Sequence, residues 1–134
     1  MNTTHAPFVY IVEGETTLRD ALQNLLESVG LQALAAADIE AVLTSYQPNR
    51  PGCLLLGIQI PGGNDLSIQQ RLRDQGIDMP VIIITAHSDV SLAVTAMKQG
   101  ALDFIEKPFN DQLLLDCVHH AIVEDTSRRQ THAR

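Results

Sequence analysis

The feature that most constrains the fold is a regular alternation between short apolar runs and longer segments with helical spacing. Five runs have the length of a strand, at residues 8–12, 31–35, 53–56, 81–85 and 102–105. Strands that alternate with helices form a parallel sheet through right-handed crossovers, and the helices then cover both faces. The sequence therefore predicts an α/β fold, a doubly wound sheet of five parallel strands with five helices.

The segments between the runs indicate where helices begin and end. After the first run, leucine and valine recur at positions 18, 22, 25, 26 and 29, which lie on one side of a helix. Gly30 follows this stripe and can adopt the positive φ that commonly ends a helix. Asp38, Asp89 and Asn110 each precede a later helical segment, so we expect them to be N-caps.

The length of the chain, 134 residues with 45% hydrophobic content, is typical of one compact domain. We assign residues 1–126 to this domain and expect residues 127–134, which are polar and lack periodicity, to begin a linker or a disordered tail. The apolar runs are too short to cross a bilayer and no basic-apolar leader follows Met1. We therefore expect a cytoplasmic protein that does not contact a membrane.

The charge is unevenly distributed along the chain. The formal net charge is -7, and all 16 acidic residues precede Thr126. Three arginines lie after it, at positions 128, 129 and 134. Nucleic-acid binding depends on basic residues that neutralise phosphates, so an acidic domain of this kind is not expected to bind nucleic acid directly.

The carboxyl ends of the predicted strands are the place to look for a site. In doubly wound sheets, ligands bind at these ends, where the strand order reverses. The residues found there are Glu13 and Gly14 after the first run, Gly57 after the third, Thr85 ending the fourth and Lys107 after the fifth. We expect these five residues to lie along one edge of the sheet.

Three segments of the sequence resemble a known family. The stretches IVEGE, PGCLLLGIQIPGG and PVIIITAHSDVSLAVTAMKQGALDFIEKPF together resemble the receiver domain of two-component response regulators. The third stretch is most similar to the FixJ-type branch of that family. The resemblance covers residues 8–124 and implies a flavodoxin-like receiver fold with strand order 2-1-3-4-5.

The resemblance implies a phosphate pocket that has lost its central groups. In the family, an acidic pair after the first strand and an aspartate after the third hold magnesium, and that aspartate is phosphorylated. A threonine or serine and a lysine before proline contact the phosphoryl oxygens. Glu13, Thr85 and Lys107 match this pattern, but Gly14 replaces the second acid and Gly57 replaces the phosphoacceptor. The resemblance therefore implies a relic phosphate pocket in a degenerate pseudo-receiver.

The loss of two carboxylates affects both the metal and the lysine. Magnesium takes an octahedral shell of oxygen ligands, which Glu13 alone cannot supply, so we expect neither metal nor cofactor. Lys107 has no aspartate to pair with, and we expect an ion pair with Glu13 in its place. The lysine-proline bond of the family is usually cis, which implies a cis bond before Pro108.

The resemblance also implies a switch residue and an interaction face. Phe104 stands where the family has an aromatic residue that moves when the threonine engages the phosphoryl group, although a plain core role is an equal alternative. The fourth helix and fifth strand resemble the face through which the family forms homodimers or contacts its own output domain. Its residues here are Val90, Val94, Met97, Lys98 and Asp103.

These observations predict a signalling module and not an enzyme. Gly57 argues against phosphotransfer, no Ser-His-Asp or Cys-His set replaces it, and we interpret Cys53 and Cys117 as buried core residues. Our first hypothesis is a phosphorylation-independent receiver-like domain of a transcriptional response regulator, with an output domain after residue 134, acting by protein contact or dimerisation. The alternatives are a stand-alone adaptor that binds a histidine kinase or regulator in trans, and a small-ligand sensor that uses the vacated pocket.

Overall fold

The computed structural model describes residues 6–57, 59–60, 63–86 and 89–132. The strands are β1 (Phe8–Val12), β2 (Gln32–Ala36), β3 (Gly52–Gly57), β4 (Gln59–Ile60), β5 (Gly63–Asn64), β6 (Val81–Thr85) and β7 (Asp103–Glu106). The helices are α1 (Thr16–Ser28), α2 (Ile39–Ser45), α3 (Asp65–Asp74), α4 (Val90–Lys98) and α5 (Asp111–His132).

Five strands form one parallel sheet in the order β2-β1-β3-β6-β7. Because β6 and β7 are the fourth and fifth strands of this sheet, the order is the predicted 2-1-3-4-5. The predicted runs at 8–12 and 81–85 match their strands, and the other three differ by one residue at each end. An additional short antiparallel ribbon, β4 with β5, was not predicted, since two-residue strands carry no periodic signal.

Two apolar clusters hold the helices against the sheet. Successive side chains of a strand point to opposite faces, so β1 contributes Val9 and Ile11 to one cluster and Tyr10 and Val12 to the other. The first cluster includes residues of α1 and α5, and the second includes residues of α2, α3 and α4. The helices therefore cover both faces, which confirms the doubly wound α/β fold.

The predicted helix boundaries are mostly confirmed. Gly30 follows α1 with φ of +88°. Asp38 accepts a hydrogen bond from the backbone N–H of Glu40 at 3.1 Å, and Asn110 accepts one from the N–H of Leu113 at 2.7 Å. Asp89 occupies the N-cap position of α4, but its side chain makes no capping hydrogen bond. Asp89 therefore marks the start of α4 without capping it.

Helix α5 continues further than the sequence suggested. The sequence predicts a domain boundary at 126 and a linker or disordered tail at 127–134, yet residues 127–132 are helical. Residues 133 and 134 lie outside the described residues. Contacts from Arg128 and Arg129 to other segments hold these last turns against the domain. Within the described ranges, no helix is both long and apolar enough to cross a bilayer.

Candidate functional site

The candidate site lies where β1, β3, β6 and β7 end side by side. Gly57 is paired with Ile84 of β6, one residue before Thr85. The backbone N–H of Lys107 donates a hydrogen bond to the carbonyl oxygen of Thr85 at 2.8 Å. The parallel register thus brings Glu13, Gly57, Thr85 and Lys107 to one edge of the sheet, as the sequence predicted. We call these four residues, together with Gly14, the carboxyl edge.

Glu13 is a buried carboxylate at the end of β1. The residue is 3% exposed, and its backbone N–H donates to Ala36 on β2 at 3.0 Å. Its Oε2 accepts a hydrogen bond from the N–H of Glu15 at 3.1 Å, and its carbonyl oxygen accepts one from Nη1 of Arg19 at 2.8 Å. Its Oε1 has no hydrogen-bond partner among the described residues. This oxygen is thus buried without compensation from any residue that the structure describes, and such burial costs free energy.

The unpartnered oxygen of Glu13 faces Gly57. A Cβ atom built on Gly57 would lie 2.5 Å from Oε1 and 3.2 Å from Cδ of Glu13. The carboxylate of Glu13 therefore uses space that a side chain at position 57 would need. With glycine there, this part of the edge has one acid, and residue 57 offers no side-chain nucleophile.

The residues of the carboxyl edge do not fit a magnesium site of the kind found in the family. Gly14 and Gly57 supply no side-chain oxygen, and Oε2 of Glu13 already accepts a backbone hydrogen bond. Magnesium needs near-octahedral oxygen coordination, usually with more than one anionic ligand. Among the residues that the structure describes, no three His, Cys, Asp or Glu side chains cluster as a metal site would require.

Thr85 and Lys107 are joined by a backbone hydrogen bond, but neither side chain is a hydrogen-bond partner of the Glu13 carboxylate. Thr85 is fully buried, and its Oγ1 donates to the carbonyl oxygen of Ala86 at 3.1 Å. The Lys107-Pro108 bond is cis, as expected. The predicted ion pair between Lys107 and Glu13 is wrong, because Oε1 of Glu13 has no partner among the described residues, which include Lys107, and Oε2 is bonded to Glu15. In the sheet, β3 and β6 separate the strands that carry the two residues.

The predicted interaction face is partly exposed. Val94 is 44% exposed and Lys98 is exposed, whereas Val90 and Asp103 are half-buried. Met97 packs partly against the core, so it contributes less surface than expected. Leu92, which is 36% exposed, was missed because a single leucine within an apolar helix gives no sign of its direction.

Phe104 and Asp103 lie at the start of β7. Phe104 is partly buried and packs against the cluster that α2, α3 and α4 cover. The carboxylate of Asp103 accepts a hydrogen bond from the N–H of Phe104 at 2.8 Å, and Sγ of Cys117 lies 3.7 Å from its Oδ2. Packing against the core fits either role of Phe104, so the switch role stays a prediction.

Neither cysteine is placed to act as a nucleophile. Cys53 is fully buried, and this burial raises the pKa of its thiol to about 12, so the thiolate is scarce at neutral pH. Cys117 is half-buried and packs against the cluster of α1 and α5, so it lies at the margin of the core. Partial burial and the nearby Asp103 carboxylate also raise its thiol pKa.

Comparison with known proteins identifies the family. The model of the response regulator receiver domain matches residues 9–119. Nodulation protein W of Bradyrhizobium diazoefficiens is 42% identical over 122 residues, covering 91% of this chain and 54% of that protein. Transcriptional regulatory protein FixJ of the same organism is 36% identical over 114 residues, covering 85% of this chain and 56% of that protein. The chain thus spans about half the length of these relatives.

A solved structure supports the same assignment. Response regulator StyR superposes with a TM-score of 0.87 at 33% identity, covering 96% of this chain and 65% of that one. The fold, the family model and the sequence relatives agree. The chain belongs to the receiver domain family of two-component response regulators.

Proposed function

We propose that this receiver domain works without phosphorylation, as a pseudo-receiver that transmits a signal by protein contact or dimerisation. The observation that carries the proposal is Gly57, a residue without a side chain at the position that matches the phosphoacceptor, with the carboxylate of Glu13 against it. Phosphoryl transfer to a receiver needs a carboxylate nucleophile that faces positive charge. Here Lys107 and Thr85 still match the positions that contact the phosphoryl oxygens, but residue 57 has no side chain to accept the phosphoryl group.

The relatives suggest the setting in which such a domain works. FixJ is named a transcriptional regulatory protein, and this chain matches 56% of it. We propose that this domain regulates a transcriptional output domain, with a histidine kinase or another protein as a further partner. Without phosphate, a change of state requires a partner or ligand that binds two conformations with unequal affinity. A stand-alone adaptor and a small-ligand sensor remain the alternatives.

The first prediction is that phosphodonors leave the protein unmodified. Incubation with acetyl phosphate or beryllofluoride and magnesium should change neither the intact mass nor the amide NMR spectrum, because Gly57 offers no acceptor and Gly14 no metal ligand. A receiver domain that retains its aspartate, treated in parallel, serves as the positive control. A stoichiometric acid-labile phosphate adduct on this chain would refute the proposal.

The exposed part of α4 is the surface through which we expect contact. Val94 and Leu92 leave 44% and 36% of their surfaces exposed on this helix. Apolar side chains at such exposure contribute binding energy when a partner covers them. We therefore propose that α4 and β7 support a homodimer or contact with an output domain in the absence of phosphate.

The second prediction tests this surface with a matched pair of variants. Val94→Glu should weaken self-association about tenfold, because a charge would be buried in the contact. Val29→Glu, at the end of α1 on the other side of the sheet and 53% exposed, should leave it unchanged. Sedimentation equilibrium of both variants and the parent measures the effect. A strict monomer at high concentration would exclude the homodimer and leave contact with an output domain, and equal weakening by both variants would contradict the assigned face.

The remaining predictions rest on the sequence alone. The expected lack of direct nucleic-acid binding, the cytoplasmic location and the lack of a cofactor all stay predictions. So does the lack of enzymatic activity. A magnesium titration followed by NMR would test the cofactor prediction directly.

A further inference from the structure

A cluster of charged contacts lies at the opposite end of the sheet from the carboxyl edge. Its centre is Asp125 of α5, a buried residue that is 2% exposed. Oδ2 of Asp125 accepts a hydrogen bond from the backbone N–H of Gly52 at 2.9 Å and another from Nε of Arg129 at 2.9 Å. Gly52 is the first residue of β3, so this carboxylate ties α5 directly to the amino-terminal edge of the sheet.

Arg129 extends the cluster to the segment between α2 and β3. Its Nη2 donates to the hydroxyl oxygen of Tyr46 at 3.1 Å, and its Nη1 donates to the carbonyl oxygen of Pro48. Burial raises the pKa of Tyr46, which keeps the phenol neutral. One guanidinium therefore joins α5 to two points of a segment about 80 residues earlier in the chain.

Arg128 makes weaker contacts in the same region. It lies 3.3 Å from Asp78 and 3.8 Å from Oδ1 of Asp125, and 40% of its side chain is exposed. Exposed ion pairs of this kind contribute little to stability because water screens them. The strong contacts of the cluster are therefore those of Asp125 and Arg129.

Apolar packing does not reach the end of α5. The buried residues that fix this helix are Leu114, Val118 and Ala121, and Ile122 is the last residue that packs against the apolar cluster. The next residue, Val123, is 50% exposed. Beyond it a cavity of about 360 Å³ opens beside the helix, lined by Tyr46, Pro48 and Asp78 together with the charged residues of α5.

We propose that Asp125 and Arg129 form a clamp that holds residues 123–132 as a rigid arm, whose direction is set by the amino-terminal edge of the sheet. Among the described side chains of the arm, none belongs to the two apolar clusters, and an isolated helical segment of this length is marginal in water. Polar contacts therefore decide whether it stays docked. While Asp125 and Arg129 keep these contacts, the arm and any segment bound to it are held in one orientation relative to the sheet. When the contacts break, the arm can move about a hinge after Ile122. This device does not depend on the state of Gly57.

Hydrogen exchange of the whole chain tests the clamp. Asp125→Ala should speed exchange of the amides in residues 123–132 at least about tenfold while leaving residues 112–121 protected, because loss of a buried carboxylate frees only the arm. Asp116→Ala is the matched control, since it removes an exposed acid from the same helix. It should leave both segments unchanged.

A second pair of variants keeps the test decisive if Asp125→Ala fails to fold. Arg129→Gln breaks the contacts to Tyr46 and Pro48 but preserves the bond between Asp125 and Gly52, so the domain should remain folded and the arm should still exchange faster. Arg128→Gln should have a smaller effect, because its contact with Asp78 is exposed and its contact with Asp125 is long, at 3.8 Å. The clamp is ruled out if Arg129→Gln leaves exchange of the arm as in the parent, or if exchange rises equally along the whole of α5.

Discussion

Replacing Gly52 by alanine should destabilise the domain by about 3 kcal/mol or more. A Cβ atom at this position would overlap the carbonyl oxygen of Phe8 and lie 3.0 Å from its carbonyl carbon. Those atoms belong to the neighbouring strand and are held by the β1–β3 register, in which Phe8 pairs with Gly52. These atoms can move only if β1 and β3 separate. Urea denaturation and thermal unfolding followed by circular dichroism measure the loss.

Gly57→Ala is the matched control for this experiment, because it adds the same methyl group to the other end of β3. Its Cβ would meet Oε1 of Glu13 at 2.5 Å, but that atom is the end of a flexible side chain and can rotate away. We expect a loss of about 1 kcal/mol or less for this variant. If the two variants unfold at the same urea concentration, the close approach of β1 to β3 does not limit stability in the way we infer.

Restoring two carboxylates should convert the carboxyl edge into a working acceptor site. Gly57→Asp alone supplies a nucleophile beside Glu13, but it displaces the Glu13 carboxylate and places two like charges together. Gly14→Asp adds a further oxygen ligand, so the double variant should bind magnesium and accept phosphate from acetyl phosphate far better than either single variant. The excess over additive effects should be about tenfold or more, because both new groups serve one ion.

The four proteins, parent, two single variants and double variant, are compared by magnesium titration and by phosphorylation followed by mass spectrometry. Circular dichroism confirms that each variant is folded. A folded double variant that remains as inert as the parent would show that Thr85, Lys107 and their surroundings no longer form a phosphate pocket. That result would favour the alternative in which the vacated pocket serves another ligand.

The local pattern of the sequence was sufficient for the architecture. Continuous apolar runs mark strands buried on both faces, and a 3.6-residue period marks a helix, so β1 and β6 are located without error and Gly30 is recognised as the end of a helix. The end of α5 was missed because residues 127–132 have no apolar stripe of their own. The spacing of Asp125 with Arg128 and Arg129, three and four residues later, is the local sign of a continuing helix.

The sequence by itself determined the fold class, the strand order through its family pattern, and the chemical identity of the carboxyl edge, since glycine at 14 and 57 excludes side-chain ligands wherever the chain goes. Only the tertiary structure decided which charged groups meet. Glu13 accepts the N–H of Glu15 and turns its other oxygen to Gly57, while Asp125 reaches Gly52, 73 residues earlier. The packing of distant segments decides these hydrogen-bond partners, because a charged side chain can reach more than one donor. The local periodicity of the sequence carries no information about which donor lies nearby.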